Sequence, residues 1–239
     1  MSAVVRGGWA SDLPPDVAEA LAEFTSASIA GFGDALKSVL LFGSAAEGRM
    51  RATSDVNVLM VFSQIDTARI APWRSQAEAL AAAIDLKPLV LLEDEIAAAA
   101  DAFAVKYFDI LNRRRVLHGP DPFASLSINN DALARRVAQV LLNLTLRLRQ
   151  SLLLHNDHAR TRDLVDAVGP LRASAVALRE ISGLAPVSPK DALLELAGKH
   201  GATALVERMQ ELREKGEPVT PESLPLLAQL IDFARAIKP

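Results

Sequence analysis

The sequence predicts an α+β fold: a small mixed β-sheet with helices over residues 1–125, then an α-helical bundle over residues 126–239. Three observations predict it. Short apolar runs rich in β-branched and aromatic residues occur only in the first half. Beyond about residue 126 helical periodicity alone remains. A chain of 239 residues that is 50% apolar can bury a sizeable core in one or two domains.

The elements follow in order. "LPPD" opens a helix over 14–31, since proline suits a first helical turn, and Gly31 and Gly33 stop it. "SVLLF" (38–42) and "DVNVLMVF" (55–62) read as strands, "PWRSQAEALAAAI" (72–84) as a helix and "PLVLL" (88–92) as a third strand. Residues 93–114 read as one further helix, ended by "VLHGPDPF", whose Gly119, Pro120 and Pro122 break any continuation. In the second half Leu133, Val137, Val140, Leu141, Leu144 and Leu148 fall on one helical stripe. Ser188 with Pro189 and Asp191, and Thr220 with Pro221, read as helix starts, while Gly201 and Gly216 read as stops. A bundle of about five helices results.

Composition excludes several function classes. A net charge of −3 gives no general grip on nucleic-acid backbones. With no cysteine in the chain, disulfides, thiolate metal sites and cysteine nucleophiles are ruled out. No uncharged apolar run reaches membrane-spanning length and the N-terminus lacks the apolar core of a signal peptide, so a cytoplasmic protein without membrane contacts is expected.

The chemistry concentrates in "LLFGSAAEGRMRATSDVNVLMVF", residues 40–62. Gly43 and Ser44 directly follow a strand. A residue without a side chain lets a ligand approach the backbone, and the next hydroxyl can donate to a phosphate oxygen. On the returning strand Asp55 and Asn57 are two apart and share a face, while Val56 and Val58 face the core. A magnesium ion bridging phosphates wants hard oxygen ligands from one or two carboxylates, and this face offers them at Asp55 and Asn57. Arg49 and Arg51, between turn and strand, suit phosphate pairing or a solvated loop equally.

This arrangement resembles the nucleotidyltransferase superfamily of the DNA polymerase β type, in particular its small bacterial members. Those proteins carry a Gly-Ser followed after ten residues by Asp-x-Asp; here Ser44 is followed by ten residues and then "DVN", with Gly48 and "SD" in the usual places. The similarity covers most of residues 14–123, and "VLHGPDPF" is similar to the "VLxG" segment that often closes such domains. The resemblance implies a nucleoside triphosphate ligand, catalytic and metal-binding roles at positions 55 and 57, and metal-dependent transfer of a nucleotide to a hydroxyl acceptor, which the sequence leaves unnamed.

The chain departs from that pattern at two places. Asn57 stands at the second acid of the motif. The third acid is expected near the start of "KPLVLL", where the nearest match is Pro88, preceded by Lys87. Removing a unit charge within a few ångströms of a dication costs on the order of several kcal/mol even with strong screening. Asp85, before this strand, and Asp94, after it, are the candidate substitutes for the third acid, and neither is expected to restore the site. The expectation is therefore a degenerate site with weak or absent magnesium, nucleotide binding retained, and little or no catalysis. An active transferase is the alternative.

Other residues carry less. His118 reads as a structural hydrogen-bonding group, and the arginines at 113–115 as cations suited to a helix C-terminus. Arg149 and His155 in "RQSLLLH" resemble the Arg-x(4 to 6)-His motif of HEPN ribonucleases, which implies a second alternative in the helical half. That half is also the expected place for a homodimer or partner-protein contact.

Overall fold

A computed structural model of the chain describes residues 12–50, 55–216 and 218–239. They cluster into two compact units, one reaching to Ala102 and including Tyr107–Ser127, the other Phe103–Lys106 with Ile128–Pro239.

The first unit contains a mixed sheet. Helix α1 (Pro15–Phe32) starts on Pro15 and ends at Gly33, whose φ of +55° suits glycine. Strand β1 (Leu36–Phe42) runs antiparallel to β2 (Val56–Phe62), helix α2 (Ile70–Ala83) follows, and β3 (Leu86–Leu92) returns parallel to β2. Helices α3 (Ile96–Ala102) and α4 (Ala104–Asn112) lead to β4 (Arg114–His118), which pairs antiparallel with β1. The sheet order is β3-β2-β1-β4.

Strand parity decides which side chains are core. Val56, Val58, Met60 and Phe62 of β2 join Val39 and Leu41 of β1 and Leu21 and Phe24 of α1 in one apolar cluster. Phe32 and Phe62 meet edge to face at 5.0 Å, and Phe24 meets Trp73 at 5.9 Å. Gly31 lies inside α1 and does not stop it; a Cβ there would sit 3.1 Å from Trp73 Cδ1, so it admits the indole. The alternate residues of β2, Asn57, Leu59 and Val61, belong to the other face.

The single helix expected over 93–114 is not formed. The chain breaks at Phe103, and Arg114–His118 becomes a strand. Local propensity is overridden because this segment hydrogen-bonds along β1 on the side away from β2. The arginines are accordingly not mere helix-end cations. Arg113 pairs with Asp109 and with Glu47, Arg114 with Asp121 at 2.7 Å and Arg115 with Asp12 at 2.7 Å.

The Arg114–Asp121 pair sets a pH dependence. Burial of Asp121 opposes its ionisation, but the Arg114 fork and the Phe123 N–H outweigh that and hold the carboxyl below its ordinary value of 3.8. A depressed folded-state pKa contributes stability that is present above the unfolded value and is lost as pH falls through the folded one. The melting temperature is therefore expected to fall as pH drops below about 4, and thermal melts of Asp121→Asn should show a shallower acid limb than wild type.

The second unit is helical: α5 (Asn130–Leu154), α6 (Asp157–Ile181), α7 (Pro189–Lys199), α8 (Thr203–Lys215) and α9 (Ser223–Ala236). Leu133, Val137, Leu141, Leu144 and Leu148 form the buried stripe of α5, and Val140 at its margin is half-buried. Ser188 caps α7 by accepting from the Asp191 N–H at 3.2 Å, and Gly216 ends α8 at φ +64°. Thr220 does not cap α9, which begins three residues later. Its hydroxyl accepts instead from the Arg208 guanidinium at 3.4 Å, and its N–H donates to the buried Thr161 hydroxyl at 2.9 Å. No helix among the described residues is long and apolar enough to cross a membrane.

Candidate functional site

Four chain segments meet at one end of the sheet: the turn after β1, the starts of β2 and β3, and the start of β4. The turn is built by glycine and backbone bonds. Gly43, at φ +79°, donates its N–H to the Arg113 carbonyl at 3.0 Å, and the Arg49 N–H closes back on the Ser44 carbonyl at 3.0 Å. Arg113 also sends its guanidinium to Glu47 at 3.3 Å, fixing the turn from the start of β4. Ser44 is half-buried and Arg49 exposed, whereas Arg51 lies outside the described residues.

Asn57 stands beside this turn. Its strand partner is Phe42, and its Nδ2 lies 3.9 Å from where a Cβ on Gly43 would be. Gly43 and Asn57 are thus brought together. Asp55 is exposed immediately before β2.

On the other side of β2 the parallel register pairs Asn57 with Lys87 and Val58 with Pro88. Side chains of paired residues share a face, so the residue beside Asn57 is Lys87 and not Pro88, the expected counterpart of the third acid. The strand begins at Leu86, two residues before the predicted start. A one-residue difference in register transfers every side chain to the opposite face.

Lys87 is anchored from two directions. Its ammonium lies 2.5 Å from Asp85 Oδ1. The hydrogen bond to Asp85 and that carboxylate's charge raise its pKa above the ordinary lysine value; desolvation opposes this slightly and the charge of Asp55 adds to it. Asp85 is the one non-glycine with positive φ among the described residues, at +46°, and its carbonyl accepts the Val56 N–H at 3.2 Å. That left-handed residue ends α2 and turns the chain into β3, beside the start of β2.

Asp94 plays no part here. Leu92 pairs with Phe62, so Asp94 lies past the far end of β3, roughly 20 Å along the strands from Asn57. His118 pairs with Val39, toward the opposite end of β1 from Gly43. Arg114 pairs with Phe42 near the site, but Asp121 holds its guanidinium.

Two carboxylates, Asp55 and Asp85, a neutral amide and an ammonium that is paired with Asp85 lie at this end of the sheet, where two-metal chemistry uses three carboxylates. Among the described residues no group of three or more His, Asp or Glu side chains is placed to hold a metal ion.

In the helical unit Arg149 is exposed on α5, and His155 is the residue that ends it. His155 Nδ1 lies 2.7 Å from Asp163 Oδ2, which also accepts the Ser151 hydroxyl at 2.6 Å. This clamp joins the end of α5 to α6 and gives His155 a structural partner.

The sequence assigned Arg113 no contact with this end of the sheet, and marked Asp85 and Lys87 only as neighbours of the expected third acid. Lys87 had a signal, a base where an acid was expected. Arg113 had none, because its contact with the turn spans 66 residues of sequence.

No family model matches the chain, and no curated protein matches it. Among solved structures, the chain is similar to spectinomycin adenyltransferase AAD(9) from Enterococcus faecialis, solved with ATP and spectinomycin. The TM-score is 0.63 at 13% identity, covering 91% of this chain and 98% of that one. The likeness extends through both the sheet and the helices, and it is a likeness of fold.

Proposed function

Starting from a chain with the nucleotidyltransferase fold, we propose that it binds a nucleoside triphosphate at the Gly43–Ser44 turn and has a metal site too degenerate for efficient nucleotidyl transfer. The observation that carries the reading is the β2–β3 register, with Lys87 beside Asn57. An ammonium there can neither ligate a metal nor accept a proton from an attacking hydroxyl. Two-metal chemistry needs carboxylates on both sides of the reacting phosphate, and here Asp85, the carboxylate across from Asp55, is already paired with the Lys87 ammonium. The glycine turn keeps the space and the hydroxyl that a phosphate needs, and Arg49 stands exposed at its end. Support for the ligand class comes from the neighbour of similar fold, which was solved with ATP.

Calorimetry with ATP and a pyrophosphate-release assay test this together. ATP should bind, and pyrophosphate should be released at or near background with any nucleoside triphosphate and with either Mg²⁺ or Mn²⁺. Robust release by the unmodified protein, abolished by Asp55→Ala, would establish an active transferase instead.

A further inference from the structure

The disagreement between this face and a metal site has a positive content: we propose that the Lys87 ammonium takes the place of the metal, binding the triphosphate directly and excluding a divalent cation. The inference rests on the nucleotide-binding reading and concerns how the phosphates are held.

Geometry supports a built-in cation. Lys87 lies on the same sheet face as Asn57, one strand spacing away, about 4.8 Å between backbones. Phe42, the last residue before Gly43, flanks Asn57 on its other side. Phe42, Asn57 and Lys87 therefore follow one another across three adjacent strands, with the Gly43–Ser44 turn directly after Phe42, and a lysine side chain is long enough to span one strand spacing. Asp85 takes one of the three ammonium N–H donors, leaving two for phosphate oxygens. β3 is an edge strand, and the charge of Asp55 adds to the stabilisation of the ammonium.

Electrostatics explains the exclusion. Asp55 stands before β2 and Asp85 before β3, and the Asp85 carboxylate is already paired with the Lys87 ammonium, so a dication using both carboxylates would have to displace that ammonium. A dication entering beside Asp55 would meet an ammonium within a few ångströms, and like charges at that separation repel strongly even when screened. Phosphate, carrying the opposite sign, is attracted by the same ammonium. An edge-strand lysine can also serve only to block pairing with other sheets. That role predicts no effect on nucleotide affinity, so the two separate experimentally.

The experiment is calorimetric titration of the full chain with ATP in excess EDTA and again in excess Mg²⁺, for wild type, Lys87→Met, Lys87→Arg and Lys87→Glu. Lys87 is exposed, so folding of each variant should be intact, and a thermal melt checks it. Wild type should bind ATP equally well in EDTA and in Mg²⁺. Lys87→Met should weaken EDTA-resistant binding about 10- to 100-fold, the loss of a charge-assisted hydrogen bond, while Lys87→Arg retains it. Lys87→Glu should make binding depend on Mg²⁺. If ATP binds only with Mg²⁺, or binds in EDTA with the same affinity in Lys87→Met, the inference is overturned while nucleotide binding stands. Absence of ATP binding under every condition would overturn both.

Discussion

Gly119→Ala is expected to destabilise the first unit by about 3 kcal/mol or more, enough to prevent folding of a marginal domain. Two effects add. Gly119 has φ +73°, where alanine is strained, and a Cβ there would lie 1.9 Å from the Lys37 carbonyl oxygen. That oxygen cannot step aside cheaply. Lys37 sits where the β1–β2 register shifts between Leu36 and Ser38, and the Ser38 hydroxyl donates to the Pro120 carbonyl at 2.6 Å, tying both segments together. Gly183→Ala isolates the backbone term, since Gly183 has a similar φ of +64° with nothing near its missing Cβ. It should cost on the order of 1 kcal/mol. Urea denaturation of both variants checks the difference; equal losses would show that the contact with β1 is not restrictive.

Phe24→Ala should cost about 3–5 kcal/mol, the range for deleting a fully buried phenyl ring. Phe24 is 1% exposed and lies in the cluster that packs α1 against the sheet. It also supports Trp73, whose Nε1–H donates to Ser28 Oγ at 3.1 Å, while that hydroxyl donates to the Phe24 carbonyl at 2.8 Å. The cavity would open directly against the indole. A lower urea midpoint with unchanged slope, accompanied by red-shifted emission from Trp73, is the expected result, and Phe24→Leu should recover most of the loss because it refills much of the volume.

How much of the site was legible follows from the range of the forces involved. The approach of Gly43 to Asn57 was legible because both lie within one strand-turn-strand segment, where spacing and parity act locally. The helix starts at Pro15 and Ser188 and the ends at Gly33 and Gly216 were readable for the same reason: caps satisfy backbone groups within a few residues. Thr220 shows the limit, because its hydroxyl accepts from Arg208 of α8 and not from the first turn of α9.

The α+β class, the order of sheet before bundle, the glycine turn after β1 and the asparagine at the second acid position were legible in the chain, since each is written in local periodicity or in a single side chain. Only the tertiary structure decided the rest. It made Arg114–His118 a strand by pairing it with β1, joined Arg113 to the turn across 66 residues, and chose the β2–β3 register that sets Lys87, and not Pro88, beside Asn57. Parallel register has no tight turn to dictate it. It is set by which residues of β3 bury against α1 and α2, and Leu86 wins that place beside Val56, which turns Lys87 outward onto the face of the site.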